Sequence, residues 1–183
     1  DKRITLGDVI RSVKNSNGSS DKLKFSLFGD PALSLSIPQL NVQTTAVNGV
    51  PVAGFTDTLK ALTPVTVSGE VVDLLGQRRQ DFNGRIIPVV YDKSVQRQTL
   101  VNDGVGQPLP FEEQSSVIYR GLAEVVDGVF SCSFVVPLDI SYQFGSGRIT
   151  YYAENGDEDA AGYFEDFTVG GLDTSAAADD QGP

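Results

Sequence analysis

The sequence predicts a mostly-β chain built as an antiparallel sandwich, with a short helix and strand ahead of it. Three observations predict this class. Apolar and polar residues alternate over short runs, as on half-buried strands. Turn signals recur every ten or so residues along most of the chain. Helical spacing of apolar residues occurs once, close to the start.

That helical stretch comes first. Ile4, Leu6, Val9, Ile10 and Val13 repeat at helical spacing, with Thr5 placed to cap the N-terminus. The polar run Asn15-Ser16-Asn17-Gly18-Ser19-Ser20 ends it. An extended run over Leu23–Phe28 is expected next, closed by a turn at Gly29-Asp30-Pro31. After Pro38 the pattern changes to strands between turns. Asn41–Val47 runs into Asn48-Gly49, a tight-turn pair. Val65, Val67 and Val71 alternate with Thr66, Ser68 and Glu70. Leu75-Gly76-Gln77 reads as a turn and Arg85–Tyr91 as a strand. Pro88 lies inside that strand and cannot donate to a ladder, so an edge or bulged strand is expected. Gln96–Val101 reads as a further short strand.

The strongest local signal is a hairpin of Ser116–Val126 and Val129–Val136 around Asp127-Gly128. Phe130, Cys132, Phe134 and Val136 share one face of its second arm, and Ser131 and Ser133 share the other. Arg148–Ala153 and Tyr163–Val169 supply the last two strands. Short strands, regular turns and little helix together point to an immunoglobulin-like antiparallel β-sandwich, with a barrel as the alternative. The tail from Leu172 is small and acidic and reads as a linker.

Composition narrows the function. The chain has 183 residues, 40% of them apolar, and no apolar run long enough to span a bilayer. It has no Met and opens with no basic-then-apolar signal, so an excised segment of a longer protein is expected. Histidine is absent, which removes the commonest general base and metal ligand. One cysteine, Cys132, permits neither an internal disulfide nor a thiolate zinc site. The net charge is −10: residues 1–24 hold six Lys/Arg against three Asp, whereas residues 154–183 hold nine acidic residues and no basic one. Nucleic acid is not an expected partner, since no basic surface dominates.

Five features could carry chemistry, and each has a plainer reading. Cys132 alternates with two phenylalanines and reads as a buried, inert thiol. Glu154, Asp157, Glu158 and Asp159 crowd a loop but lack calcium-loop spacing, so they read as solvated charge. Glu112 and Glu113 are adjacent on a strand and face opposite ways, which keeps them off one substrate. Tyr91, Tyr119, Tyr142, Tyr151 and Tyr152 read as sheet packing before a sugar platform, with Tyr151 and Tyr152 on opposite faces. Gly29-Asp30-Pro31 lacks phosphate-loop spacing. No residue is assigned a catalytic, cofactor-binding or metal-ligating role, and no cofactor is expected.

The run Phe25-Ser26-Leu27-Phe28-Gly29-Asp30-Pro31-Ala32-Leu33 resembles the closing "LxGDPxL" signature of the catalytic domain of gingipain-like cysteine peptidases. Thr58–Leu62, Val65–Val71, Asp81-Phe82-Asn83-Gly84 and Gly162–Phe167 are similar to the segment that follows in one branch, the sortases of the Por (type IX) secretion system of Bacteroidetes. The resemblance covers about residues 4 to 183. It implies a surface cysteine peptidase that cleaves C-terminal sorting signals and links cargo to anionic lipopolysaccharide. The family's catalytic Cys and His lie upstream of the closing motif, and no position here matches them.

The resemblance implies three parts. Residues 1–37 would be the C-terminal tail of a caspase-like peptidase domain. Residues 38–172 would be the immunoglobulin-like sandwich, and 173–183 a linker to a following domain. The expected role is non-catalytic: supporting or spacing the peptidase domain, and docking cargo or secretion-system components at the extracellular, outer-membrane surface. The rival reading is a carbohydrate-binding or adhesion module, because a sandwich alone does not fix function.

Overall fold

The computed structural model describes residues 4–16, 18–102 and 104–173. It divides into two compact units, Asp1–Ile37 and Pro38–Pro183.

The first unit holds helix α1 (Leu6–Ser16) and a short 3-10 helix, Ser20–Lys24. Thr5 caps α1 as expected: its hydroxyl accepts from the Asp8 amide at 3.2 Å, and its own amide donates to the Asp8 carboxylate at 3.3 Å. The extended run expected at Leu23–Phe28 is corrected in part, because Ser19 caps the 3-10 turn by accepting from the Asp21 amide and draws Leu23 and Lys24 into it. No described residue of this unit is buried.

The second unit is nearly all strand. Its fourteen strands, among the described residues, are β1 (Leu40–Val47), β2 (Val50–Pro51), β3 (Thr58–Ala61), β4 (Pro64–Val72), β5 (Gly84–Tyr91), β6 (Val95–Gln98), β7 (Pro110–Glu113), β8 (Val117–Arg120), β9 (Ala123–Val126), β10 (Val129–Val135), β11 (Gly145–Ser146), β12 (Arg148–Glu154), β13 (Asp159–Phe164) and β14 (Thr168–Leu172). The two sequence-legible turns form, but the hairpin arm expected over Ser116–Val126 is two strands, β8 and β9, and pairs with β10 only at Val129↔Val126 and Phe130↔Val125. Asn48-Gly49 joins β1 to β2 and Asp127-Gly128 joins β9 to β10, all four residues at positive φ, as a two-residue turn of this hand requires.

The mostly-β expectation holds, and the pairing draws a mixed, barrel-like sheet. Seven strands follow the order β12-β13-β1-β4-β10-β9-β5, and β5 then pairs back onto β12 over Arg85–Tyr91, closing the ring. Two features depart from an antiparallel sandwich. The ring leaves no free edge between two facing sheets at β5, and β1 runs parallel to β13 at Leu40↔Ala160 and Asn41↔Ala161. A small sheet, β11-β14-β3, and the exposed hairpin β6-β7 complete the unit. The stretch expected as one strand over Tyr163–Val169 is two, ending β13 and starting β14, with the turn at Glu165–Phe167 between them.

Strand alternation fills the interior. Val65 and Val67 of β4 stand opposite Phe134 and Cys132 of β10, and these four are buried together with Val71 and Phe130. Gly69 makes room for its partner Phe130: a Cβ there would stand 2.5 Å from the ring. On the outer face of the same pair, Thr66 and Ser133 share a 2.8 Å hydrogen bond. Among the described residues no helix is long and apolar enough to cross a membrane.

Pro88 sits in an interior strand whose register with β12 runs unbroken, which corrects the expectation of an edge or bulged strand; the bulge lies in β8, where Ile118 is extra between Val117 and Tyr119 opposite Tyr91 and Val90. β12 covers one side of β5, and β9 followed by β8 covers the other. The Gly121 amide donates to the Pro88 carbonyl at 3.2 Å, but proline offers no amide in return. The break between β8 and β9 falls at that point.

Candidate functional site

The first unit is organised by the turn at Gly29–Leu33. Gly29 has φ +148, a backbone conformation that side chains rarely adopt. Asp30 then closes the turn, its carboxylate accepting from the Ala32 amide at 2.8 Å and its carbonyl from the Leu33 amide at 3.1 Å. The carbonyls of Leu33 and Pro31 accept from the Leu6 and Gly7 amides at 2.8 and 2.9 Å, so the turn satisfies two of the orphan donors at the start of α1. Gly7 is needed for that approach, because a Cβ would lie 2.9 Å from the Pro31 carbonyl oxygen. The motif is therefore a helix-start clamp; its Leu27 is half-buried, whereas Phe25, Phe28 and Leu33 are left outward. Phe28 is 98% exposed, and Ile4, Val13, Leu23, Phe25, Leu33 and Leu35 are exposed with it. A cleft of about 550 Å³ lined by Ile10, Leu27 and Pro31, with Arg11 and Lys14, lies on the same unit.

In the second unit the sequence candidates take structural places. Cys132 is buried on β10 opposite Val67, and burial pushes its thiol pKa up, which keeps it in the unreactive protonated form. Tyr151 is buried beneath the sheet and shares a 2.7 Å hydrogen bond with Thr44. Burial first of all raises its pKa well above the usual phenol range. Tyr119 stacks on Phe134, with ring centroids 4.5 Å apart. Tyr152 points outward, as its adjacency to Tyr151 requires, and its hydroxyl donates to Asp159 at 3.3 Å. Tyr142 donates to the Leu138 carbonyl.

The acidic residues are spread over cations. At the end of β12 Glu154 pairs with Arg85, and in the loop that follows Glu158 pairs with Arg79 at 2.7 Å. Arg79 also grips Asp81 at 2.8 Å, and that contact holds the Asp81 carboxyl at a pKa of about 2, below its usual range. Asn155 shapes the loop by accepting from the Asp157 and Glu158 amides at 3.0 and 2.8 Å. Among the described residues no group of three potential ligands gathers as a metal site. Glu112 accepts from Ser94 and Gln96, whereas Glu113 accepts from Arg97, so the two carboxylates address different neighbours. Glu112 lines an open polar cleft of about 500 Å³ with Gln114, Ser146, Arg148 and Glu165.

One polar cluster had no sequence signal beyond adjacent opposite charges. Asp92, 5% exposed, accepts from the Lys93 ammonium at 2.6 Å, the Lys93 amide at 2.8 Å and the Ser141 amide at 3.3 Å. Lys93 also donates to the Ser141 carbonyl at 2.8 Å, and Gln114 to the Asp92 carbonyl at 2.7 Å. This clasp ties the end of β5 to two loops.

Comparison with solved structures places the chain. It matches dimeric latent PorU from Porphyromonas gingivalis with a TM-score of 0.68 and 32% identity, over 97% of this chain and 17% of that one. The chain thus spans about a sixth of the length of that protein. Spo0M, a sporulation control protein from Bacillus subtilis, is matched at 14% identity over 73% of this chain and 50% of that one, with a TM-score of 0.41 too low to carry an argument. No family model and no curated protein matches the sequence.

Proposed function

From the premise that this chain is a PorU-related region, we propose that it is a non-catalytic part of a type IX secretion sortase-like protein. In this reading the parent is a gingipain-like cysteine peptidase at the cell surface. Residues 1–37 are the tail of its caspase-like catalytic domain, residues 38–172 support or space that domain, and residues 173–183 link onward. The observation that carries the reading is the first unit's surface: most of its apolar residues, Phe28 foremost, are exposed, and no described residue of that unit is buried. A surface of that kind marks an interaction site. The absence of histidine and the buried Cys132 agree with a role outside the chemistry.

Hydrogen exchange tests this. In the isolated chain residues 4–16 should exchange fast beside slow exchange in Val129–Val135, because a helix this short is marginal alone. In the full-length parent residues 4–37 should be protected. Equal protection of 4–16 in the isolated chain would sink the proposal that a separate domain covers them.

A second reading, a carbohydrate-binding module, is favoured by one observation. Tyr163, 69% exposed, lines an open hollow of about 730 Å³ with Asn41, Thr150 and Glu165. Retention on polysaccharide that Tyr163→Ala abolishes would support it.

A further inference from the structure

The β8–β9 arm and β10 leave a vacant strand position between them. They leave the Asp127-Gly128 turn as a hairpin, but their ladder ends at Phe130↔Val125. Beyond that point the arms separate. Almost every Cα pair between β8 and β10 stands more than 8 Å apart, although paired strands lie about 4.8 Å apart. On its other side the arm stays on β5 in one register from β9 into β8, with a single hydrogen bond missing at Pro88, so it is β10 and the arm that part and not the arm and β5.

The vacant position has two rows of unmade hydrogen bonds. The Val136 amide donates to the Thr63 carbonyl, so even-numbered residues of β10 face β4. Ser133 and Val135 therefore turn their amides and carbonyls the other way, where no partner meets them among the described residues. Gly121 faces β5, so Arg120 and Leu122 turn theirs toward Ser133 and Val135. The floor is apolar, made by the stacked rings of Tyr119 and Phe134. The rim is open: Leu122 is 65% and Val135 59% exposed. Arg120, also exposed, has no carboxylate partner among the described residues.

We propose that this gap receives an extended peptide segment of another chain, which pairs as a strand with Ser133 and Val135 on one side and Arg120 and Leu122 on the other. Two rows of donors and acceptors select an extended backbone. The aromatic floor selects apolar residues at alternate positions, and Arg120 selects a carboxylate on the outer face. About four or five extended residues fit between the end of the ladder and Val135. A second copy of this chain is a poorer occupant, because its net charge of −10 opposes self-association. The inference stands on strand geometry and holds whether or not the first unit packs on a peptidase domain.

Amide exchange followed by NMR on the whole chain tests it. In the free protein, Cys132 and Phe134 should be protected and Ser133 and Val135 should exchange fast, an alternation within one strand. The probe is a seven-residue peptide of alternating valine and threonine with a glutamate at each end, indifferent to binding direction. At saturation it should slow Ser133 and Val135 by about tenfold or more. Lysine in place of the glutamates should weaken binding about fivefold, and Arg120→Glu should reverse that preference. N-methylation of alternate peptide amides should abolish binding. Uniform protection along β10 in the free protein would overturn the proposal, since the gap would then be filled by the chain itself. Fast Ser133 and Val135 amides left unslowed by millimolar peptide would overturn it equally.

Discussion

Asp92→Asn should destabilise the second unit by about 3 kcal/mol, the lower end of the range for stranding one member of a buried ion pair. Side-chain exposure is 11% for Lys93 and 7% for Asp92, so neither charge leans on solvent. Asparagine keeps the size and one acceptor, but the Lys93 ammonium then faces only neutral oxygens, its new neighbour and the Ser141 carbonyl. The lower end applies because a lysine stem can carry its ammonium toward water. At a urea slope of about 2 kcal/mol/M, the midpoint should fall by about 1.5 M with the slope unchanged. The double variant Asp92→Asn, Lys93→Met removes the stranded charge and should return to within about 1 kcal/mol of the parent. The assay is urea unfolding followed by far-ultraviolet circular dichroism. A single variant within about 0.5 kcal/mol of the parent, or a double variant no better than the single, would refute the ion-pair argument.

Further outcomes follow from the same packing. Cys132→Ser should cost about 1–3 kcal/mol by burying a hydroxyl in an apolar setting, and the native thiol should label slowly with an aromatic disulfide reagent. The raised phenol pKa of Tyr151 sets an alkaline limit. Its contribution is complete below the unfolded value near pH 10 and is lost as pH rises above it, so melting temperature should fall from about pH 10 upward, less steeply in Tyr151→Phe. Gly162→Ala should cost about 2 kcal/mol or more, read by urea unfolding, because its Cβ would stand 2.0 Å from the Val42 carbonyl oxygen at the β1–β13 junction.

The elements legible in the sequence are those set by near neighbours. Alternation along Val129–Val135 reveals a half-buried strand because side chains on a strand must alternate faces. Asp127-Gly128 and Asn48-Gly49 reveal their turns because few residues accept positive φ. The same logic separates Tyr151 from Tyr152. What stayed hidden depends on residues far apart. The parallel pairing of Leu40 with Ala160 and the return of β5 onto β12 leave no local trace, since a period of two looks the same in a sandwich and a closed ring. Pro88 misled for a related reason: its missing amide leaves out a single hydrogen bond to the neighbouring arm inside the sheet, not at a sheet edge. The Asp92–Lys93 clasp was hidden because adjacent opposite charges are usually solvated, and only the loop carrying Ser141 buries them. Arg120 carries no motif at all and matters through the strand that is missing beside it.

The parallel seam between β1 and β13 also imposes an order of assembly. β1 and β4 lie close in sequence and can pair early, but Leu40 meets Ala160 only after nearly the whole second unit exists. A chain emerging from its N-terminus holds the far edge of β1 open until residues 159–164 arrive, and that edge is a template for unwanted strands in the meantime. Late contacts of this kind slow folding. A chain cut before Asp159 would retain β1 through β12 and still lack the strand that seals them.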